Sequence, residues 1–299
     1  MRIVFCSEPF APLRVDSAYE SEAGAARDAG FEFDLIDFEA LVDAENPFAA
    51  IRKVKEQSAP VSAVYRGWML KPEKYALLFD AFAERKINLI NSPAQYKHCH
   101  YLPESLSLIE NHTPATVSMK LDSDFNFDDV FRRLSVFGDK PLILKDYVKS
   151  RKHEWNEACF IPAASDRAAV ERVVDRFLEL QGDDLNEGLV FREFVEFQPL
   201  TAHSKSKMPL TKEFRLFFLD GEPLDWFEYW DEGEYSGDRP PENIFADVAR
   251  KVKSRFFTMD IAQTVGGEWQ IVELGDGQVA GLPENANIPR FYQALKNRL

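Results

Sequence analysis

Residues 141–155, PLILKDYVKSRKHEW, begin as a buried strand and end in a cluster of positive charge. Residues 141–144 are apolar, and the cations that follow are Lys145, Lys149, Arg151, Lys152 and His153. The whole chain has a formal net charge of -14, so a local cluster of cations is unexpected in it. Lysine binds phosphate as a point charge and arginine binds it through two parallel hydrogen bonds. The stretch therefore predicts a polyphosphate site at the end of a strand. A solvated turn with surface lysines is the alternative, although Lys145 fits it less well because it follows an apolar run.

The composition sets outer limits on the function. With 299 residues, 45% of them hydrophobic, the chain can bury a large core arranged in two or three lobes. No apolar run approaches the ~18 residues of a membrane helix. The apolar stretch at the N-terminus is too short for a signal peptide, and an acidic residue follows it too early. Cys6, Cys99 and Cys159 lack the spacing of metal ligands, which indicates reduced thiols in a cytoplasmic protein. A pI near 4.9 argues against a general nucleic-acid binder.

The order of predicted elements changes along the chain. Residues 1–92 alternate strands with helices, which predicts a doubly wound parallel α/β domain. Residues 93–192 contain a helix over 94–111, the lysine strand and a helix over 168–180, as in a small α+β lobe. Residues 193–299 read as antiparallel strands with few helices, one of them expected over 241–255. The predicted fold class is α/β in the first segment and α+β in the rest.

Two further strands contain charged residues among apolar ones. In GLVFREFVEF, residues 188–197, the polar positions suit a hinge strand that leaves the core and presents its backbone to a purine edge. An ordinary alternating strand explains this pattern equally well. In KEFRLFFLDGEP, residues 212–223, Arg215 lies on a hairpin strand. A lone arginine in such a position is more often part of a cross-strand ion pair than a ligand-binding residue.

The last predicted hairpin brings two carboxylates close together. Asp260 lies six residues before Gly266 and Glu273 lies six residues after Gly267, so the two can stand side by side on neighbouring strands. Adjacent carboxylates repel each other unless they are protonated or bridged by a cation, and oxygen ligands suit Mg²⁺. The hairpin therefore predicts a magnesium site, with a polar hairpin end facing water as the alternative.

Taken together, these features resemble the ATP-grasp enzymes over nearly the whole chain. LILKDYVKSRKHEW is similar to the family's lysine strand and flexible loop, VFREFVEF to its hinge, EFRLFFLDGEPL to its arginine strand and MDIAQTVGGEWQIVELGDG to its metal hairpin. VYRGWML, LKDYVKS and VELGDGQVAGL more narrowly resemble the clade named for one arginine and two lysines. The resemblance implies a pre-ATP-grasp domain at 1–92, a small lobe at 93–192 and a C-terminal lobe with the metal hairpin at 193–299.

The resemblance also implies a role for individual residues. The clade's arginine and two lysines correspond to Arg66, Lys145 and Lys149. The region 97–101 is expected to line the cleft from the N-terminal side together with the arginine. The implied site residues are Lys145, Lys149, Glu193, Phe194, Val195 and Glu196 for ATP, Arg215, Lys149 and Arg151 for catalysis, Asp260, Glu273 and Asp276 for Mg²⁺, and Arg66 for the substrate.

The sequence departs from the family's pattern in two places. Gly275 stands where the family often has an asparagine as a metal ligand. Asp276 is one position further, and a shift of one residue on a strand changes the face. The flexible loop also lacks the glycines of many relatives and has charged residues and Trp155 instead.

The activity implied by the resemblance is ATP- and magnesium-dependent ligation. A substrate carboxylate is phosphorylated to an acylphosphate, and an amine then displaces phosphate. Positioning and charge neutralisation are the main requirements of such a reaction. The expected substrates are amino acids, peptides or a protein terminus. A kinase-like phosphoryl transferase and a non-catalytic nucleotide-binding protein are the alternatives. The sequence does not determine the oligomeric state.

Overall fold

The structure, a computed structural model, describes residues 1–204, 209–237, 239–241 and 243–299. The N-terminal elements are β1 (Arg2–Glu8), β2 (Ala11–Val15), α1 (Glu20–Asp28), β3 (Glu32–Ile36), α2 (Phe38–Val42), α3 (Pro47–Ala50), β4 (Val61–Arg66), α4 (Pro72–Glu84) and β5 (Ile87–Leu89). Parallel strands pair in the order β3–β1–β4–β5, while β2 folds back antiparallel onto the end of β1. This topology confirms the predicted doubly wound α/β fold at the N-terminus.

Helices cover both faces of this parallel sheet. Ile3 and Phe5 of β1 pack in a core shared with α1, whereas Val4 and Cys6 pack in a second core shared with α4. A parallel strand buried on both faces reads as a continuous apolar run, as β1 does. Cys6, Cys99 and Cys159 are all free and buried.

The second group of elements forms an antiparallel sheet with helices. They are α5 (Pro93–His100), α6 (Leu102–Ile109), β6 (Thr116–Lys120), α7 (Phe127–Leu134), β7 (Leu142–Asp146), β8 (Phe160–Ile161), α8 (Arg167–Gln181) and β9 (Gly188–Glu193). The strands pair in the order β6–β9–β7–β8. The single helix expected over 94–111 is divided at Tyr101, which is extended with φ -105° and ψ 111°. Pro103 then lies in the first turn of α6, where its missing N–H costs no hydrogen bond.

The third group is mostly antiparallel strands. It consists of β10 (Pro199–Ala202), β11 (Pro209–Thr211), β12 (Glu213–Leu219), β13 (Glu222–Glu228), α9 (Ala246–Ala249), β14 (Phe256–Gln263), β15 (Trp269–Asp276) and α10 (Ile288–Arg298). The main sheet has the order β13–β12–β14–β15. The helix expected over 241–255 is wrong in its length, and Glu242 within it lies outside the described residues. Phe245 has left-handed backbone with φ 57°, so no helix can run through it, and α9 is a single turn.

The C-terminal helix returns to the beginning of the chain. Phe291, Tyr292 and Leu295 of α10 share a core with Ala23 and Ala26 of α1. The boundaries after residues 92 and 192 stay predictions. Among the described residues, no helix combines the length and apolar character that crossing a membrane requires.

Candidate functional site

A cavity of about 710 Å³ lies between the sheet that contains β7 and β9 and the sheet that contains β12, β14 and β15. Most of the residues singled out by the sequence line it. These are Lys145, Lys149, Glu193, Phe194, Val195, Glu196, Arg215, Asp260, Glu273 and Asp276. Arg66 and Arg151 do not line this cavity. The structure therefore gathers residues from distant parts of the chain around one space.

The two carboxylates of the last hairpin lie side by side because of an irregular ladder. Asp260 of β14 stands opposite Glu273 of β15, while the next residue, Ile261, stands opposite Ile271. Val272 therefore has no cross-strand partner and forms a β-bulge. Counting residues from the turn predicted the correct carboxylate pair without detecting this bulge.

Each carboxylate is paired with a cation. The Lys145 Nζ atom lies 2.9 Å from Glu273 Oε2. Arg215 donates through Nε to Asp260 Oδ1 at 2.9 Å and through Nη2 to Oδ2 at 2.7 Å. The Asp260 side chain is 3% exposed, so its ion pair with Arg215 is almost entirely removed from water. Each of these cations thus neutralises the charge of the carboxylate beside it.

The charges in the site shift the pKa values of both carboxyls. Burial favours the neutral form of Glu273, but the Lys145 ammonium outweighs it and lowers the Glu273 pKa to about 2. Burial raises the pKa of Asp260, and the Arg215 guanidinium opposes that shift. Glu273 therefore stays ionised at physiological pH.

The donor set of this site suits a magnesium ion that has few protein ligands. Asp260 and Glu273 offer carboxylate oxygens, and Mg²⁺ commonly uses one or two carboxylates, keeps waters and takes the rest of its shell from phosphates. The described part of the chain has no group of three His, Cys, Asp or Glu side chains placed to hold a metal. Asp276 is not brought into the pair. It accepts a hydrogen bond from Asn91 Nδ2 at 2.6 Å and another from the Gln278 backbone at 3.0 Å.

Asp276 gives a pH-dependent prediction. Burial raises its pKa to about 7, against about 3.9 in an unfolded chain, so the folded state binds an extra proton between these values. Stability should therefore rise as the pH falls through 7, and from pH 8 to 6 the gain is about 1.4 kcal/mol. Comparing the wild type with Asp276→Asn, which does not titrate, by urea unfolding at both pH values isolates this contribution. A difference in unfolding free energy between the two proteins that does not change with pH would contradict the prediction.

A residue that the sequence reasoning missed shapes the lysine loop. Asp146 is fully buried and accepts hydrogen bonds from the backbone N–H groups of Val148 at 2.7 Å and Lys149 at 2.5 Å. It also accepts from the side chains of Gln181 and Asn186. The local signal was an aspartate directly after the lysine, since aspartate side chains close turns by bonding to backbone two residues on. Asp146 thus holds the tight turn that brings Lys149 to the cavity.

The cations of the loop have different positions. Arg151 donates to the backbone carbonyl of Leu180. Lys152, in contrast, lines the cavity, with its Nζ 5.9 Å from the centre of the Trp230 ring. Burial acts to lower the Lys152 pKa, but Glu213 and other nearby anions outweigh it, so the pKa is raised and the ammonium stays charged. Lys152 is therefore better placed than Arg151 to meet a ligand.

Phe194, in the segment that follows β9, adds an aromatic ring to the wall of the cavity and lies edge-to-face with its aromatic neighbours. The ring of Phe194 lies 6.0 Å from Trp155 and 5.4 Å from Phe160, centre to centre. The Phe194 N–H donates a hydrogen bond to the carbonyl of Pro141 at 2.9 Å. Within the described part of the chain, the backbone of Val195 makes no hydrogen bond. On the opposite side, His100 of the region 97–101 lines the cavity, and burial lowers its pKa to about 4.

Arg66 lies in a buried network away from the cavity. It is 1% exposed and donates through Nε and Nη2 to both carboxylate oxygens of Glu22 at 2.9 Å. Its Nη1 donates to the carbonyls of Gly277 and Ala280, and Tyr292 donates to Glu22 at 2.6 Å. The structure thus places Arg66 between α1, α10 and the segment that follows β15.

Comparison with known families and structures finds matches to this chain. The sequence model of an ATP-grasp domain, R2K clade family 3, matches residues 136–295, more than half of the chain. No curated protein matches the sequence.

Similar solved structures share the fold over its full length. One is the RimK domain protein ATP-grasp from Sphaerobacter thermophilus, with a TM-score of 0.60 and 14% identity, covering 99% of this chain and 98% of that one. Another is the ATP-grasp ligase PsnB complexed with a phosphomimetic variant of its minimal precursor, Mg and ADP, with a TM-score of 0.59, 14% identity and coverage of 100% and 98%. A third is the D-alanine–D-alanine ligase from Bacillus anthracis complexed with ATP, with a TM-score of 0.58, 14% identity and coverage of 99% and 94%. At these identities the likeness establishes the ATP-grasp fold.

Proposed function

Because the chain belongs to the ATP-grasp domain family, R2K clade family 3, we propose that it is an ATP- and Mg²⁺-dependent ligase joining a carboxylate to an amine. The observation that carries this proposal is the pairing of Lys145 with Glu273 and of Arg215 with Asp260 in one cavity. Phosphates need cations and magnesium needs carboxylates, and both kinds of group stand here within hydrogen-bonding distance of each other.

The walls of the cavity suggest where the nucleotide binds. The ring of Phe194 and the free backbone of Val195 suit a purine, with Glu196 near the ribose. Lys145 lies beyond them at the end of β7, where it would meet the α- and β-phosphates, and Lys149 and Lys152 extend the positive charge along the loop. Asp260 and Glu273 would hold Mg²⁺, which would neutralise charge on the phosphates.

The proposed reaction proceeds in two displacements. An oxygen of the substrate carboxylate attacks the γ-phosphorus of ATP, the bond to the bridging oxygen breaks, and ADP leaves. The nitrogen of the amine then attacks the acylphosphate carbon, phosphate departs, and the amine loses a proton to solvent. Arg215 would stabilise the charge of the transferred phosphoryl group, because its guanidinium lines the cavity beside Asp260.

An amino acid or a peptide is the substrate class that we infer. Two structural relatives support it, since PsnB is described as a ligase complexed with a precursor and the Bacillus anthracis enzyme as a D-alanine–D-alanine ligase. The cavity of about 710 Å³ has room for a nucleotide and a small second substrate.

The proposal is tested with ATP, Mg²⁺ and a mixture of amino acids and short peptides. We expect release of ADP and phosphate together with a new amide mass, both lost when Mg²⁺ is chelated. ADP binding, measured by calorimetry with and without Mg²⁺, checks the site without knowledge of the substrate. A phosphorylated product with no amide would favour a kinase, and Mg²⁺-dependent nucleotide binding without any turnover would favour a binding protein.

A further inference from the structure

Arg192 is a buried arginine to which neither the sequence nor the proposed reaction assigns a part. It lies on β9, two positions before Phe194, and is 8% exposed. Within the described ranges it forms no ion pair with a carboxylate, and burial lowers its pKa to about 10. An unpaired buried cation is costly, so its contacts need an explanation.

The guanidinium of Arg192 binds the backbone of β15 at the bulge. Nη1 donates to the carbonyl of Val272, and Nη2 donates to the carbonyl of Ile271 at 3.0 Å and to Thr113 Oγ1. Thr113 itself donates to the Ile271 carbonyl at 2.7 Å. These contacts join the sheet of β9 to the sheet of β15, immediately before Glu273.

The bulge explains why these carbonyls need a partner from outside their own sheet. β15 is the edge of its sheet, and Val272 has no opposite residue on β14. Backbone groups at a bulge on an edge strand lack regular ladder bonds, and buried carbonyls without donors are unfavourable. Arg192 and Thr113 supply the donors, so the backbone that leads into Glu273 depends on them.

Arg192 acts on the same pair of strands as the Lys145–Glu273 ion pair. Lys145 stands opposite Val190 and Ile143 stands opposite Arg192 in the β7–β9 ladder, so Lys145 and Arg192 share one face of their sheet. From that face Lys145 reaches the side chain of Glu273, and Arg192 reaches the backbone one and two residues before it. Two cations thus position Glu273: Lys145 contacts its carboxylate, and Arg192 binds the main chain that precedes it.

We propose that Arg192 is a positioning residue of the ligase: it anchors the bulge of β15 to the sheet of the phosphate-binding lysine and thereby holds Glu273 where it can take Mg²⁺. This inference rests on the proposed function. Nη1 and Nη2 make the contacts to β15, and Nε has no hydrogen-bond partner among the described residues.

The test compares Arg192→Met with Phe191→Leu, a change of a buried residue on the same strand whose side chain packs in the core on the other face, away from β15. ADP affinity is measured by calorimetry with and without Mg²⁺, and the ratio of the two gives the effect of the metal. We expect Arg192→Met to reduce this ratio about tenfold while changing metal-free ADP affinity less than about threefold. Arg192→Lys, which keeps one donor, should retain part of the ratio, and Phe191→Leu should retain all of it.

A second measurement needs no ligand. Amide hydrogen exchange across residues 269–276 should speed up in Arg192→Met and, less strongly, in the milder Thr113→Val, but not in Phe191→Leu. Equal effects of Arg192→Met and Phe191→Leu on the metal ratio, or unchanged exchange in this segment, would show that Arg192 is merely a core residue. If the wild type binds no ADP even with Mg²⁺, the proposed function itself fails and this inference falls with it.

Discussion

Lys145→Met is expected to weaken binding of ADP with Mg²⁺ by about 100-fold or more. The substitution removes a charge-assisted contact to phosphate, which typically contributes about 1.5–3 kcal/mol. It also leaves Glu273, whose side chain is 35% exposed, beside Asp260 without its cation at 2.9 Å, so repulsion between the two carboxylates adds to the loss. With the ammonium gone, the pKa of Glu273 should rise from about 2, so that the carboxyl becomes a poorer magnesium ligand.

Calorimetric titration of the wild type and Lys145→Met with ADP, at the same Mg²⁺ concentration, measures this effect. Lys120→Met is the matched control, because Lys120 ends another strand of the same sheet and is exposed. Its affinity should equal that of the wild type. An unchanged affinity in Lys145→Met would remove the lysine strand from the nucleotide site.

Arg66→Met is expected to lower the free energy of unfolding by about 3–5 kcal/mol. The guanidinium satisfies Glu22 and two backbone carbonyls, those of Gly277 and Ala280, and the substitution leaves all of them buried without their donor. Because the network joins the two ends of the chain through Tyr292, the loss should appear in the global unfolding transition.

Urea unfolding of Arg66→Met measures the loss, with Arg52→Met as a control on an exposed arginine of the same N-terminal unit. The double variant Glu22→Leu with Arg66→Met should recover part of the stability, since removing both partners of a buried pair costs less than removing one. If Arg66→Met is as stable as the wild type but loses activity, Arg66 has the substrate role that its resemblance to the family implies.

The features predicted correctly depend on local patterns. Both β1 and β7 contain a continuous apolar run, at 3–6 and 142–144, and an acidic pair placed evenly about a glycine turn indicates neighbours on a hairpin. Such periodicity follows from backbone geometry, so it can be recognised without knowledge of the tertiary contacts. The division of the predicted 94–111 helix at Tyr101 had a local signal too, in the proline that follows.

The features missed depend on contacts between distant segments. The bulge at Val272 is stabilised by Arg192, 80 residues earlier in the chain, and no count from the turn shows it. Lys152, rather than Arg151, lines the cavity because Arg151 reaches a carbonyl at the end of α8.

The sequence by itself determined the residue types that the candidate site can use: a lysine at the end of a buried strand, the charged strand of residues 188–197, an arginine strand and a carboxylate hairpin, in an order that resembles an ATP-grasp domain. These are properties of residue type and spacing, which can be read directly from the sequence. Only the tertiary structure decided which charges face one another. Arg66 forms an ion pair with Glu22 in the core, and Asp276 is hydrogen-bonded to Asn91. Lys145 and Glu273 form an ion pair between two sheets. Ion pairs and hydrogen bonds of this kind act over a few ångströms, so their partners are set by packing and not by distance along the chain.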